Sequence, residues 1–233
     1  MTGFLIQIVV AAVPVILAIT LHEAAHGYAA LALGDDTARS MGRLSLNPLR
    51  HVDRVGTLLL PGVLILGQLL TLGRVVFLFG WAKPVPVSAW RFANPRRGMA
   101  LVAAAGPVTN FFLAWLAALL MHATALLPDP GGEVVDTMLE TFILANLVLG
   151  LFNLLPIPPL DGGRIVVGLL PERLAEVWAR LERAGIVIVL LLVFLLPRLL
   201  AEFGIRFDPV GRALNTGLPW AFGLVYRLAF HDA

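Results

Sequence analysis

The chain has 233 residues, 59% of them hydrophobic and 14% charged, with a mean hydropathy of +0.88, too apolar for a domain whose whole surface must face water. Its formal charge of +2 gives no footing for nucleic-acid binding. Cysteine is absent, which excludes disulfides and thiolate metal sites and leaves His, Asp and Glu as the only candidate metal ligands.

Apolar stretches run at 3–33, 55–81, 99–127, 138–160, 184–203 and 210–230. Several approach or exceed the roughly 20 residues that carry a helix across hydrocarbon, and none alternates like a barrel strand. The expected fold is an all-α polytopic membrane protein of about five to six hydrophobic helical segments, with short extended or β elements at the membrane face. No hydrophilic insertion divides it, so residues 1–233 read as a single membrane-embedded domain, with a core at 3–170 and C-terminal helices at 184–230. A lipid bilayer is therefore its surroundings.

The first stretch lacks a basic leader and a small-residue cleavage pattern, so it reads as a retained helix. It runs into HEAAH at 22–26. At helical spacing His22 and His26 share a face and can grip one metal ion, with Glu23 beside it. One Zn²⁺ suits an imidazole site, and Glu23 is the candidate to move protons between water and a leaving amine. Two His and a Glu within a turn of a membrane helix are costly to bury, which makes function the default reading there.

The loop at 39–54 carries Arg39, Arg43, Arg50 and Arg54, together with His51, the other His placed to approach the metal. The loop at 83–97 carries Lys83, Arg91, Arg96 and Arg97, whereas 128–137 is acidic, with Asp129, Glu133 and Asp136. Charge bias makes the first two loops cytoplasmic and the third external. Both basic loops share a side only if 55–81 returns to the face it entered. Pro61-Gly62, Gly67, Gly73 and Gly80 permit that bend, so a re-entrant segment is expected, with an ordinary span as the alternative.

The Val- and Pro-rich stretch at 80–90 is a candidate edge for strand-like docking of a peptide. In AAAGPVTN (103–110), small residues suit close helix packing and Asn110 can hydrogen-bond across to a neighbour. Asn146 and Asn153 fall on one face of the 138–160 stretch. Asn153 is read as a catalytic or substrate-contacting amide, with an interhelical hydrogen bond as its alternative, and Asn146 as making such a structural bond, with the catalytic or substrate-contacting role as its alternative.

The third ligand must come from elsewhere in the chain. Asp161 in NLLPIPPLDGG (153–163) is the candidate, its competing role being a helix N-cap. With 55–81 re-entrant, Asp161 finishes on the same side as His22 and His26. Residues 164–183 read as an interfacial amphipathic helix, the start of the next span, or a charged connector.

HEAAH, NPLRHVDRVGT, GWAKPVPV, GPVTN and NLLPIPPLDGG, in that order over residues 15–170, resemble the site-2 protease family of intramembrane zinc metalloproteases. The resemblance implies hydrolysis of peptide bonds in or near transmembrane segments of other membrane proteins. By position it implies His22, His26 and Asp161 as zinc ligands, Glu23 as general base and Asn153 as the family's asparagine before the Pro-rich turn. Neither a PDZ domain nor a CBS pair is present, so substrates are expected to be chosen by membrane-embedded surfaces or by an adaptor. The alternative is a membrane metal transporter or sensor without hydrolytic activity.

Overall fold

The computed structural model describes residues 2–74 and 80–230. Among the described residues there are ten α-helices: α1 (Thr2–Ala32), α2 (Thr37–Ser40), α3 (Leu60–Leu72), α4 (Pro95–Thr124), α5 (Gly131–Asn153), α6 (Asp161–Leu169), α7 (Glu172–Arg180), α8 (Gly185–Leu190), α9 (Leu196–Glu202) and α10 (Pro209–Leu228). Among the described residues, helical stretches long and apolar enough to cross a membrane are Val9–Ala32, Arg54–Leu72, Pro95–Thr124, Gly131–Asn153 and Glu172–Glu202. The polytopic helical fold expected from hydropathy is what forms.

Three helices build the centre. His22 and His26 of α1 meet Asn110 and Val102 of α4, a reversed order that makes the two helices antiparallel. Thr124 bonds Asp136 at the turn and Asn110 bonds Asn146 further along, so α5 runs back against α4 and parallel to α1. Small residues allow this approach: Ala114, Ala117 and Ala118 of α4 are buried against Ile143 and Leu147 of α5 and Ala221 and Val225 of α10. Without a hydrophobic drive between helices in lipid, such close backbones and buried amides supply the cohesion.

The second apolar stretch leaves the bundle and comes back. A π-helical turn at Arg54–Leu59 leads into α3, and only 6% of this span is buried against the rest of the protein. Trp81 then donates its N–H to Gly56 O at 3.2 Å, and Thr57 Oγ1 donates to Trp81 O at 2.9 Å. The two ends of 55–81 therefore meet on one face, as the charge pattern requires. Residues 75–79 of that return lie outside the described residues.

Residues 80–88 carry no regular secondary structure, and no strand forms among the described residues. Pro84 and Pro86 lack the N–H a ladder needs. The segment is instead fastened to the bundle: Lys83 N–H donates to His51 O at 2.8 Å, Val85 N–H to Glu23 Oε2 at 3.2 Å and Ser88 N–H to Asp35 Oδ2 at 2.6 Å. After α6, the amphipathic stretch is a separate helix, α7, which continues through a 3₁₀ turn at Leu181–Ala184 into the apolar span ending at Glu202.

Candidate metal centre

HEAAH lies within α1, so helix geometry stacks both imidazoles on one face. His22 Nε2 and His26 Nε2 are 3.1 Å apart. Asp161 Oδ2 lies 3.2 Å from the first and 3.4 Å from the second. Donors about 2.0–2.2 Å from a tetrahedral zinc sit about 3.3–3.5 Å from one another. The three edges have the size of one face of such a tetrahedron.

The outward nitrogens are already used. His22 Nδ1 donates to Asn110 Oδ1 at 2.6 Å and His26 Nδ1 to Val102 O at 2.8 Å. With a proton on each Nδ1, both Nε2 lone pairs point inward, the arrangement a metal-ligating imidazole needs. Asp161 Oδ2 is buried and makes no well-directed hydrogen bond, a costly state for a carboxylate that a cation would relieve. An orphaned carboxylate oxygen facing two imidazole lone pairs fits a divalent ion.

Asp161 is the first residue of α6, and the side chain preceding that helix makes no capping bond. Its carboxylate turns toward the His pair instead of closing the helix end. DGG must press tightly on the turn after α5: a Cβ at Gly162 would lie 2.3 Å from both Leu154 O and Leu155 O. Glycine there lets Asp161 reach α1.

Glu23 is half-buried, one residue from His22 and three from His26. Its carboxylate accepts the Val85 N–H, which fixes where it points. Asn110 and Asn146 are fully buried and bonded to each other at 2.8 Å. Asn153 is half-buried, and its amide donates to Leu149 O on its own helix at 3.0 Å. His51 is buried, its Nε2 bonded to Ser45 O at 2.8 Å, and it is not one of the three converging side chains. An open groove of about 480 Å³ between the start of α4 and α6–α7 is lined by Asn94, Arg96, Glu172 and Glu176 and includes none of His22, His26 and Asp161.

Two contributors escaped the sequence reading. A Cβ at Gly106 would lie 2.5 Å from Cε1 of both His22 and His26; the 102, 106, 110 spacing on one helix face was the available signal. Asp35, fully buried, accepts from Ser88 N–H, from Thr37 N–H and hydroxyl, and has Arg91 Nε 3.7 Å away. It fastens the end of α1 to the 80–88 segment that carries Val85. Burial alone would push its pKa up, but the Ser88 and Thr37 donors and Arg91 outweigh burial and hold it below the usual carboxylate value.

The family model of peptidase family M50 matches residues 130–196, a range that includes Asp161. The chain is 40% identical over 184 residues to the protein named "Putative zinc metalloprotease YwhC" of Bacillus subtilis (strain 168), covering 77% of this chain and 78% of that protein. It is 33% identical over 214 residues to "Putative zinc metalloprotease Rip2" of Mycobacterium tuberculosis (strain H37Rv), covering 91% of this chain and 70% of that one. A protein of the same name from Mycolicibacterium smegmatis is 30% identical over 180 residues, 76% of this chain and 64% of its own length. No solved structure matches the chain.

Proposed function

The chain belongs to peptidase family M50, and from that premise we propose that it is an intramembrane zinc metalloprotease that cuts peptide bonds in or near the transmembrane segments of membrane-protein substrates. The observation that carries the reading is the convergence of His22 Nε2, His26 Nε2 and Asp161 Oδ2 within 3.4 Å of one another. In this reading these three side chains hold the ion. One zinc supplies Lewis acidity and brings the ionisation of water close to neutral pH, at about 7.

This chain's own residues do the rest. Glu23, oriented by the Val85 N–H, takes a proton from the attacking water as its oxygen bonds the scissile carbonyl carbon, and returns it to the amide nitrogen as the C–N bond breaks. Asn153 offers an amide hydrogen to the carbonyl oxygen as negative charge builds there. A transmembrane helix hides its carbonyls in its own hydrogen bonds, so the substrate must unwind locally to react as an endopeptidase substrate. The segment 80–88, tied to Glu23 through Val85, is where an unwound stretch would lie.

Residues 1–233 form one membrane-embedded unit in this reading, with the protease core at 3–170. The active site faces the cytoplasm: the two basic loops touch, Arg43 donating to Lys83 O at 2.9 Å, and basic loops stay inside. Family membership favours hydrolysis over a transporter or sensor, and one variant separates them. Purified protein with zinc is expected to cleave single-span substrates, and Glu23→Gln is expected to keep the metal while losing about 10²–10⁴-fold in rate. Equal cleavage by Glu23→Gln would sink the assignment.

A further inference from the structure

We propose that Asn110 and Asn146 are positioning residues of the metal centre: a two-amide relay, anchored on a backbone carbonyl, that fixes which nitrogen of His22 faces the ion. This rests on the zinc reading above and adds to it how the ligand is oriented.

The direction of every bond follows from the far end. Phe142 O can only accept, so the group of Asn146 that meets it at 2.8 Å is the amide nitrogen. Asn146 then turns its carbonyl oxygen toward α4, where it receives Asn110 Nδ2 at 2.8 Å. Asn110 must consequently present its own oxygen to His22, and an acceptor at 2.6 Å requires the imidazole proton on Nδ1. The lone pair is left on Nε2, which faces His26 and Asp161.

Each link is shielded from water: Asn110 and Asn146 are 0% exposed and His22 4%. No solvent is at hand to substitute for a lost partner, and an amide turned the wrong way would set two donors against each other. Packing alone does not ask for this. Helices α4 and α5 already meet through alanine, Ile143 and Leu147, and an interhelical contact needs only one hydrogen bond between the amides. The relay also explains why two buried amides are stacked beside one imidazole while His26 is held by a fixed backbone carbonyl, Val102 O, which cannot rotate.

The test uses the full chain in detergent, with zinc affinity read by competition against a chromophoric chelator. Asn110→Leu removes the acceptor and is expected to weaken zinc binding roughly 10–100-fold. Asn146→Leu leaves Asn110 free to turn and is expected to weaken it in the same direction. Asn110→Asp still offers an oxygen to Nδ1 and is expected to bind zinc close to the parent. A role confined to joining α4 and α5 would lower the melting temperature of all three variants and leave zinc affinity unmoved, which overturns the proposal.

Long-range ¹H–¹⁵N spectra of the zinc-loaded parent, labelled at histidine, give a second readout that needs no variant to fold. Nδ1 of His22 protonated and Nε2 metal-bound is the expected result; coordination through Nδ1 overturns the relay. A parent that takes up no zinc would end the functional reading and the relay together. A parent that binds zinc beside an Asn110→Leu form that binds as tightly would end the relay alone.

Discussion

Gly106 lies directly against His26: a side-chain carbon there would sit 2.5 Å from the ring's Cε1 and 2.7 Å from its Nε2. The ring has no retreat, because its Nδ1 is held by Val102 O on the same face of α4. Gly106→Ala is therefore expected to displace the imidazoles without harming the helix, since alanine is favoured over glycine in a helix interior by about 1 kcal/mol. A shift of about 1 Å at a reacting centre costs about 100-fold in rate. Zinc content and proteolysis should collapse while the helical signal and the metal-free melting temperature stay near the parent's; unchanged zinc content would show that the contact is not restrictive.

Asp161 Oδ2 has no hydrogen-bond donor well aimed at it, so the metal is its natural partner and binding should stabilise the fold by mass action. At a free zinc concentration about 100 times the dissociation constant the gain is about 2.7 kcal/mol. A chelator is expected to lower the melting temperature of the parent and to leave that of Asp161→Ala unchanged. A parent whose melting ignores both chelator and added zinc would count against these ligands.

How legible this centre was depends on distance along the chain. The His pair could be read because its spacing is local, a matter of one helical turn. Asp161 was a candidate because it is an ionisable residue at the end of an apolar stretch, just past the break made by Pro156, Pro158 and Pro159, and the charge bias of the loops was compatible with that candidate only if 55–81 returns. The partners of the ligands were not legible. His22 and Asn110 are 88 positions apart, and no local pattern tells an amide that glues helices from one that orients an imidazole. Val102 contributes only its carbonyl, which every residue has. Asp35 lies just past α1 with no local signal to mark it, yet the Ser88 N–H, 53 positions on, makes it a buried acceptor.

The Asp35 node gives a pH prediction. Its pKa is lowered in the folded chain, so its contribution is fully present above the unfolded carboxylate value of 3.8 and is lost as pH falls through the folded value below that. Replacing it with Ala leaves the Ser88 and Thr37 donors without their acceptor, at a cost of about 1–3 kcal/mol. Asp35→Ala is expected to melt at lower temperature at neutral pH, with the difference from the parent narrowing in acid below pH 3.8. Because Ser88 ends the segment that carries Val85, the variant should also lose turnover at unchanged zinc content. Equal melting of the two forms across that range would refute the clasp.

Asn153 supplies the last prediction. Its amide nitrogen donates one hydrogen to Leu149 O at 3.0 Å, which holds the group in place and leaves the second hydrogen to be offered elsewhere. Half-buried at the end of α5, just before the proline-rich turn that leads to Asp161, it is tied to the same stretch of backbone as the proposed third ligand. An amide so fixed can meet negative charge without reorganising. One such donor is worth about 10²–10³-fold in turnover. Asn153→Ala is accordingly expected to keep its zinc and its melting temperature and to lose turnover by about that factor, with substrate affinity changed far less. Asn153→Asp keeps the shape but replaces the donor with a negative oxygen, and should be no better. Full activity in the alanine form would reduce Asn153 to a residue that bonds its own helix.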